Sequence, residues 1–182
     1  MIKRELYMSR IRPFIGTELI KVMTGIHRCG KSVMLELIKQ EITESGVSPT
    51  QFISINFEDM SYSHLQTAQA LHDEITKRAA AMEGKVYLFF DEIQEVKDWE
   101  KCINSLRVSL DCDIYFTGSN AKLLSGELAT YLGGRYVEFV IYPFSFGEFM
   151  ELYRSITPNE SIQQCFQKYL LAGGMPYLAN LR

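Results

Sequence analysis

Gly25 to Ser32 read GIHRCGKS and fit the pattern GxxxxGK(S/T) without a gap. The residue types suit a polyphosphate cradle. Gly25 and Gly30 let the backbone fold back and approach an anion with no side chain in the way. The amides from His27 to Ser32 then form an anion nest, and the first turn of a following helix adds free N–H groups and the positive end of its dipole. Lys31 would reach the β- and γ-phosphates, and the Ser32 hydroxyl would ligate Mg2+. The candidate binding stretch is Gly25, Ile26, His27, Arg28, Cys29, Gly30, Lys31, Ser32 and Val33.

The second chemical element is Asp91-Glu92, directly after the apolar run VYLFF. Acidic residues at the carboxyl end of a parallel strand face the crevice where such sheets bind ligands. Asp91 would hold Mg2+ through a water opposite Ser32. Glu92 would orient or deprotonate a water attacking the γ-phosphate. A carboxylate pair placed this way suits hydrolysis, whereas a kinase must admit a second substrate and no second basic cluster offers an acceptor lid. The bland reading of Asp91 alone is a turn or helix cap.

Three further positions carry an alternative beside the chemical reading. Ser119 and Asn120 would hydrogen-bond the γ-phosphate or the attacking water, or cap the helix that follows. Arg135, after Gly133-Gly134, is either a finger that neutralises transition-state charge, in cis or from a neighbouring subunit, or a plain cation at a helix end. Asn56, at the exit of a strand, is placed to pair with Glu92. His64 and His72 have no third ligand nearby and read as surface or packing residues. The four cysteines, Cys29, Cys102, Cys112 and Cys165, form no CxxC pair, so neither zinc nor a disulfide framework is indicated. Cys29 is a small filler inside the loop, or an oxidation-sensitive thiol if exposed.

The elements that must position these groups alternate. Residues 1–18 predict a short helix ending near Pro13, lying beside a base or ribose or covering a sheet edge. Ile20 to Thr24 predicts a strand, then a helix to about Ser45, where Gly46 and Pro49 stop it. Further strands are predicted over 51–57, 85–90, 113–117 and 136–141, with helices over 63–82, 98–110 and 122–132 between them. The run 85–90 is apolar throughout, the mark of a strand buried on both faces. This alternation calls for an α/β fold: a parallel five-stranded sheet flanked by helices. Residues 1–142 form that core, with 1–18 as its N-terminal segment. Residues 143–182 form a helical extension with helices over 145–153 and 161–171.

Length and composition limit the classes. The 182 residues fit one domain, with 47% apolar and 23% charged residues. A net charge of -3 gives no global claim on nucleic acid or an anionic membrane. No apolar run approaches bilayer length and the start lacks a signal-peptide block, so the cytoplasm is the expected compartment.

Taken in order, GIHRCGKS, FFDEIQ with Trp99 after it, TGSNAKLLSGELATYLGGR, YPFSFGEFM and AGGMPYL resemble the prokaryotic AAA-type P-loop ATPases that carry a C-terminal nuclease-like domain of unknown function. The resemblance runs from about Leu19 to Leu178. The loop and acidic pair are shared by many ATPases, while the later strings are more specific. It implies an extra strand between the loop strand and the acidic-pair strand. It also implies Lys31, Ser32, Asp91 and Glu92 in the roles above, Ser119 or Asn120 as γ-phosphate sensor, and Arg135 as finger. Members commonly have Arg-Arg in the loop where this chain has His27-Arg28. Relatives continue past the position of Arg182, so the resemblance implies a longer natural protein.

The expected activity is therefore Mg2+-dependent hydrolysis of ATP, slow in isolation and coupled to a C-terminal effector, a partner or a homo-oligomer. The alternative is a nucleotide-gated switch or scaffold with little turnover. GTP is disfavoured because no NKxD-like stretch is present. Nucleic-acid binding is not expected of these residues but is open for a full-length form.

Overall fold

The computed structural model describes residues 2–118, 130 and 132–176. Five strands form one sheet: β1 (Ile20–Thr24), β2 (Phe52–Asn56), β3 (Val86–Asp91), β4 (Cys112–Thr117) and β5 (Tyr136–Val140). Their order is β2-β3-β4-β1-β5 and every pairing is parallel. β4 thus lies between the loop strand and the acidic-pair strand, as the resemblance implies.

Alternation along β3 explains why a continuous apolar run was required. Val86, Leu88 and Phe90 enter one core, with Leu71 and Ile75 of α3 (Ala68–Ala79) and Ile103 and Leu106 of α4 (Trp99–Ser109). Tyr87 and Phe89 point the other way, into a core with Met34 and Ile38 of α2 (Lys31–Glu44) and Tyr7, Met8 and Ile11 of α1 (Glu5–Ile11). Both faces of the sheet are covered, as parallel sheets require. α1 runs into a single 3₁₀ turn, Arg12–Phe14, whose Phe14 meets Phe139 edge-on. Of the two sequence readings of this segment, covering the β5 side of the sheet is the one its packing shows.

α5 (Phe146–Ile156) and α6 (Ile162–Ala172) pack on each other through Phe149, Tyr153 and Cys165, joined by Ile2 and Phe144. Each begins with a capping box, Ser145 with Glu148 and Ser161 with Gln164. One prediction needs correction: the helix expected over 63–82 is a 3₁₀ turn, Met60–Leu65, followed by α3. Thr67 interrupts it. Its backbone is extended, it pairs with Lys97, and its side chain caps Ala70 N–H. The expected helix 122–132 lies largely outside the described residues, where Thr130 alone within it is assigned helical.

Among the described residues, no helix is long and apolar enough to cross a membrane.

Candidate functional site

The chain leaves β1 at Thr24 and turns at once into the loop. Gly25 has φ 147, and a Cβ there would lie 2.2 Å from the Ile141 carbonyl oxygen and 2.9 Å from Cys29 Sγ. Only glycine fits so close to another backbone. Gly30, with φ 103, is the left-handed N-cap of α2, and Arg28 is also left-handed at φ 64. Ile26, His27 and Arg28 are exposed at the tip, while Cys29 is fully buried. Burial pushes the Cys29 thiol up, so it is a filler and not a reactive thiol.

Lys31 opens α2 but is itself buried. Its Nζ donates to the carbonyls of Gly25 and Ile26, each at 3.4 Å, and lies 3.5 Å from Glu92 Oε1. Asp91 and Glu92 are buried at the carboxyl end of β3. Glu92 is left-handed at φ 55, and Gln94 of the next 3₁₀ turn donates to its Oε2. The two sequence stretches expected to cooperate are therefore adjacent in space. Asp91 and Ser32 line one hollow of about 240 Å³, together with Asn56, Ser54 and Lys39.

Other expected residues fall differently. Asn56 does not pair with Glu92; its Oδ1 accepts the Glu58 N–H in a tight turn, and Lys31 and Gln94 take the place expected for it. Arg135 is exposed and stands immediately before β5, where its carbonyl accepts the N–H of Ile20 at the start of β1. The loop and acidic pair lie at the opposite, carboxyl ends of the strands, on the order of 15 Å away along a five-residue strand. That placement does not bring Arg135 to its own loop. Ser119 and Asn120 lie outside the described residues. His72 faces Ser105 at 3.0 Å, and among the described residues no three His, Cys, Asp or Glu gather as a metal cluster.

Besides Gln94, two further residues contribute. Thr117, at the end of β4, donates to Asp91 and accepts the Glu92 N–H at 3.0 Å. Arg4 is buried behind the loop; its guanidinium donates to Cys29 O at 3.1 Å, Tyr142 O at 2.8 Å and Glu148 Oε1 at 2.8 Å. Neither carries a sequence signal, because each partner is set by how distant elements pack.

A parallel sheet of this order, with a glycine loop after one strand and an acidic pair two strands away, defines a P-loop nucleotide-binding fold of the AAA kind. The family model described as an AAA domain matches residues 17–150, and the chain belongs to that family. An uncharacterized protein of Haemophilus influenzae is 40% identical over 176 residues, covering 97% of this chain and 44% of the relative. An uncharacterized protein of Methanocaldococcus jannaschii is 34% identical over 166 residues, covering 86% and 35%. The chain thus spans less than half the length of either relative. The solved structure of the Saccharomyces cerevisiae Hsp104:casein complex superposes with a TM-score of 0.62 at 16% identity, covering 98% of this chain and 36% of that one.

Proposed function

We propose that the chain binds ATP with Mg2+ between the loop and the acidic pair and hydrolyses it slowly in the cytoplasm. Turnover is coupled to a partner subunit or to the rest of a longer protein. The observation that carries this reading is the approach of Lys31 Nζ to Glu92 Oε1 at 3.5 Å, with Ser32 and Asp91 facing one hollow beside it. A hydroxyl and one carboxylate suit magnesium, which is bound through one or two carboxylates plus phosphate oxygens and keeps its waters. When bound there, it would neutralise charge on the β- and γ-phosphates.

The residues divide the work. Loop amides and Lys31 hold the phosphates, Ser32 and Asp91 hold the ion, and Glu92 orients and deprotonates the attacking water. Ser119 or Asn120 would serve as the γ-phosphate sensor. Arg135, remote from its own loop, serves the site of a neighbouring copy.

The tethering of Glu92 favours a second reading. Lys31 holds one carboxylate oxygen and Gln94 the other, so the base is engaged on both sides. A switch that binds ATP with little turnover would be built in this way. Steady-state phosphate release by the full chain and by Glu92→Gln separates the two. Hydrolysis predicts a fall of about a hundredfold or more in the variant. Equal rates would remove the hydrolytic assignment, and tight ATP binding with negligible wild-type turnover would leave the switch.

A further inference from the structure

β4 is the strand between the loop strand and the acidic-pair strand, and Thr117 is its last residue. Its Cα is in register with Met23 of β1, while on the other side Phe116 is in register with Phe90 of β3. Thr117 is therefore the side chain of β4 that stands beside Asp91. It is fully buried. The Glu92 N–H donates to Thr117 Oγ1 at 3.0 Å, and Thr117 Oγ1 donates to Asp91 Oδ1.

A threonine hydroxyl has one proton to give. Here an incoming N–H occupies a lone pair and the proton goes to the carboxylate, so both bonds have a fixed direction. The first holds the backbone of Glu92, whose φ of 55 is unfavourable for a residue with a Cβ. The second fixes the rotation of the carboxylate of Asp91, a residue that lines one hollow with Ser32.

We propose that Thr117 is the positioning residue of the acidic pair: one hydroxyl orients Asp91 for the ion and locks Glu92 in its left-handed turn. The inference rests on the Mg2+–ATP reading of the site for its functional half. Groups that orient metal ligands are worth about 10–100-fold in metal affinity or activity. Thr117→Val keeps the shape and removes the hydroxyl, whereas Thr117→Ser keeps the hydroxyl and removes the methyl.

Two measurements on the full chain test it. In a calorimetric ATP titration at increasing Mg2+, Thr117→Val should need about 10–100-fold more Mg2+ to reach half-maximal tightening, and Thr117→Ser should behave as wild type. Without any ligand, amide hydrogen exchange at Glu92 should speed up in Thr117→Val and stay slow in Thr117→Ser. An unchanged Mg2+ midpoint with unchanged Glu92 exchange in Thr117→Val overturns the proposal, as does equal impairment of the two variants. If wild type binds ATP without regard to Mg2+, the site reading fails. The exchange comparison then still decides whether Thr117 holds the pair. Should Thr117→Val not fold, Thr117→Ala carries the same comparison against Thr117→Ser.

Discussion

Lys31 and Glu92 form an ion pair across the sheet, Nζ to Oε1 at 3.5 Å, with both side chains nearly buried. The contact joins the helix that follows the loop to the residue that follows β3. It also sets a competition, because a triphosphate that draws Lys31 onto its own oxygens must weaken the hold on Glu92. On the proposed reading, ligand at the loop would loosen one of the two holds on Glu92, leaving that of Gln94.

Arg4 ties the loop to α5. Its side chain is 1% exposed, and Glu148, besides meeting it at 2.8 Å, closes the capping box with Ser145. Burial alone would raise the Glu148 carboxyl, but the bonds from Arg4 and Ser145 outweigh it and hold the group below its usual range. Glu148→Gln and Arg4→Ala should each lower unfolding free energy in urea by about 1.5–3 kcal/mol, since each removes the charge-assisted bond between the two. Arg4 keeps the Cys29 and Tyr142 carbonyls in the first, and Glu148 keeps Ser145 in the second. The double variant should cost clearly less than the sum. Strict additivity would show that the two do not act as a unit.

Two glycines are fixed by contact with backbone, and a third only by its φ. A Cβ on Gly174 would meet Phe144 O at 2.3 Å, much as one on Gly25 meets Ile141 O. Gly16, with φ 78, has open space around it. Gly25→Ala and Gly174→Ala should each cost about 3 kcal/mol or more, because neither backbone can yield. Gly16→Ala should cost about 1–2 kcal/mol, the strain of its φ alone. Thermal unfolding of the three variants checks the order.

Alkaline pH should destabilise the fold in a way that Cys102 reports. Burial, with Asp73 adding to it, pushes the Cys102 thiol from 9.0 up to about 12, and burial with Asp113 and Asp111 pushes Cys112 up to about 11. Above pH 9 the unfolded chain releases thiol protons that the folded chain keeps. Stability present below pH 9 is therefore lost as pH rises, by about 1.4 kcal/mol per unit for each group. Lys21, lowered by burial, acts in the opposite sense. It is common to wild type and variant, so the comparison isolates the thiol. Cys102→Ala should show a slope shallower by about 1.4 kcal/mol per unit from pH 9 upward, measured by urea unfolding at stepped pH. Identical slopes would contradict the assignment.

Arg135, at the amino end of β5, yields a mixing experiment. Arg135→Ala and Lys31→Ala chains should each turn over ATP poorly, the first lacking a finger for its neighbour and the second a working loop. In a head-to-tail assembly mixed in equal amounts, roughly a quarter of the sites would pair an intact loop with an intact finger. Phosphate release should recover on mixing. No recovery, in a sample shown to assemble, would leave Arg135 as a helix-end cation.

Much of this arrangement is legible in the amino-acid order, and the reason is chemical. Strands such as VYLFF declare themselves because a parallel strand buried on two faces tends to read as a near-continuous apolar run, and the loop declares itself because its glycines have no substitute. Thr117, Gln94 and Arg4 are silent, since a lone polar residue means nothing until strand register and packing supply its partner. Asn56 shows the same limit from the other side: a polar residue at a strand exit looked placed for Glu92 but closes its own turn. Over 63–82 an apolar period continues through Thr67, while a side-chain cap and a backbone pairing with Lys97 break the helix there.

The most direct measurement is calorimetric titration of ATP into the full chain, with and without Mg2+, for wild type, Lys31→Ala and Asp91→Asn. A shared site predicts wild-type binding that tightens with Mg2+, a loss of about tenfold or more in Lys31→Ala, and loss of the Mg2+ effect in Asp91→Asn. Wild-type affinity indifferent to Mg2+, with both variants binding as wild type does, would contradict it.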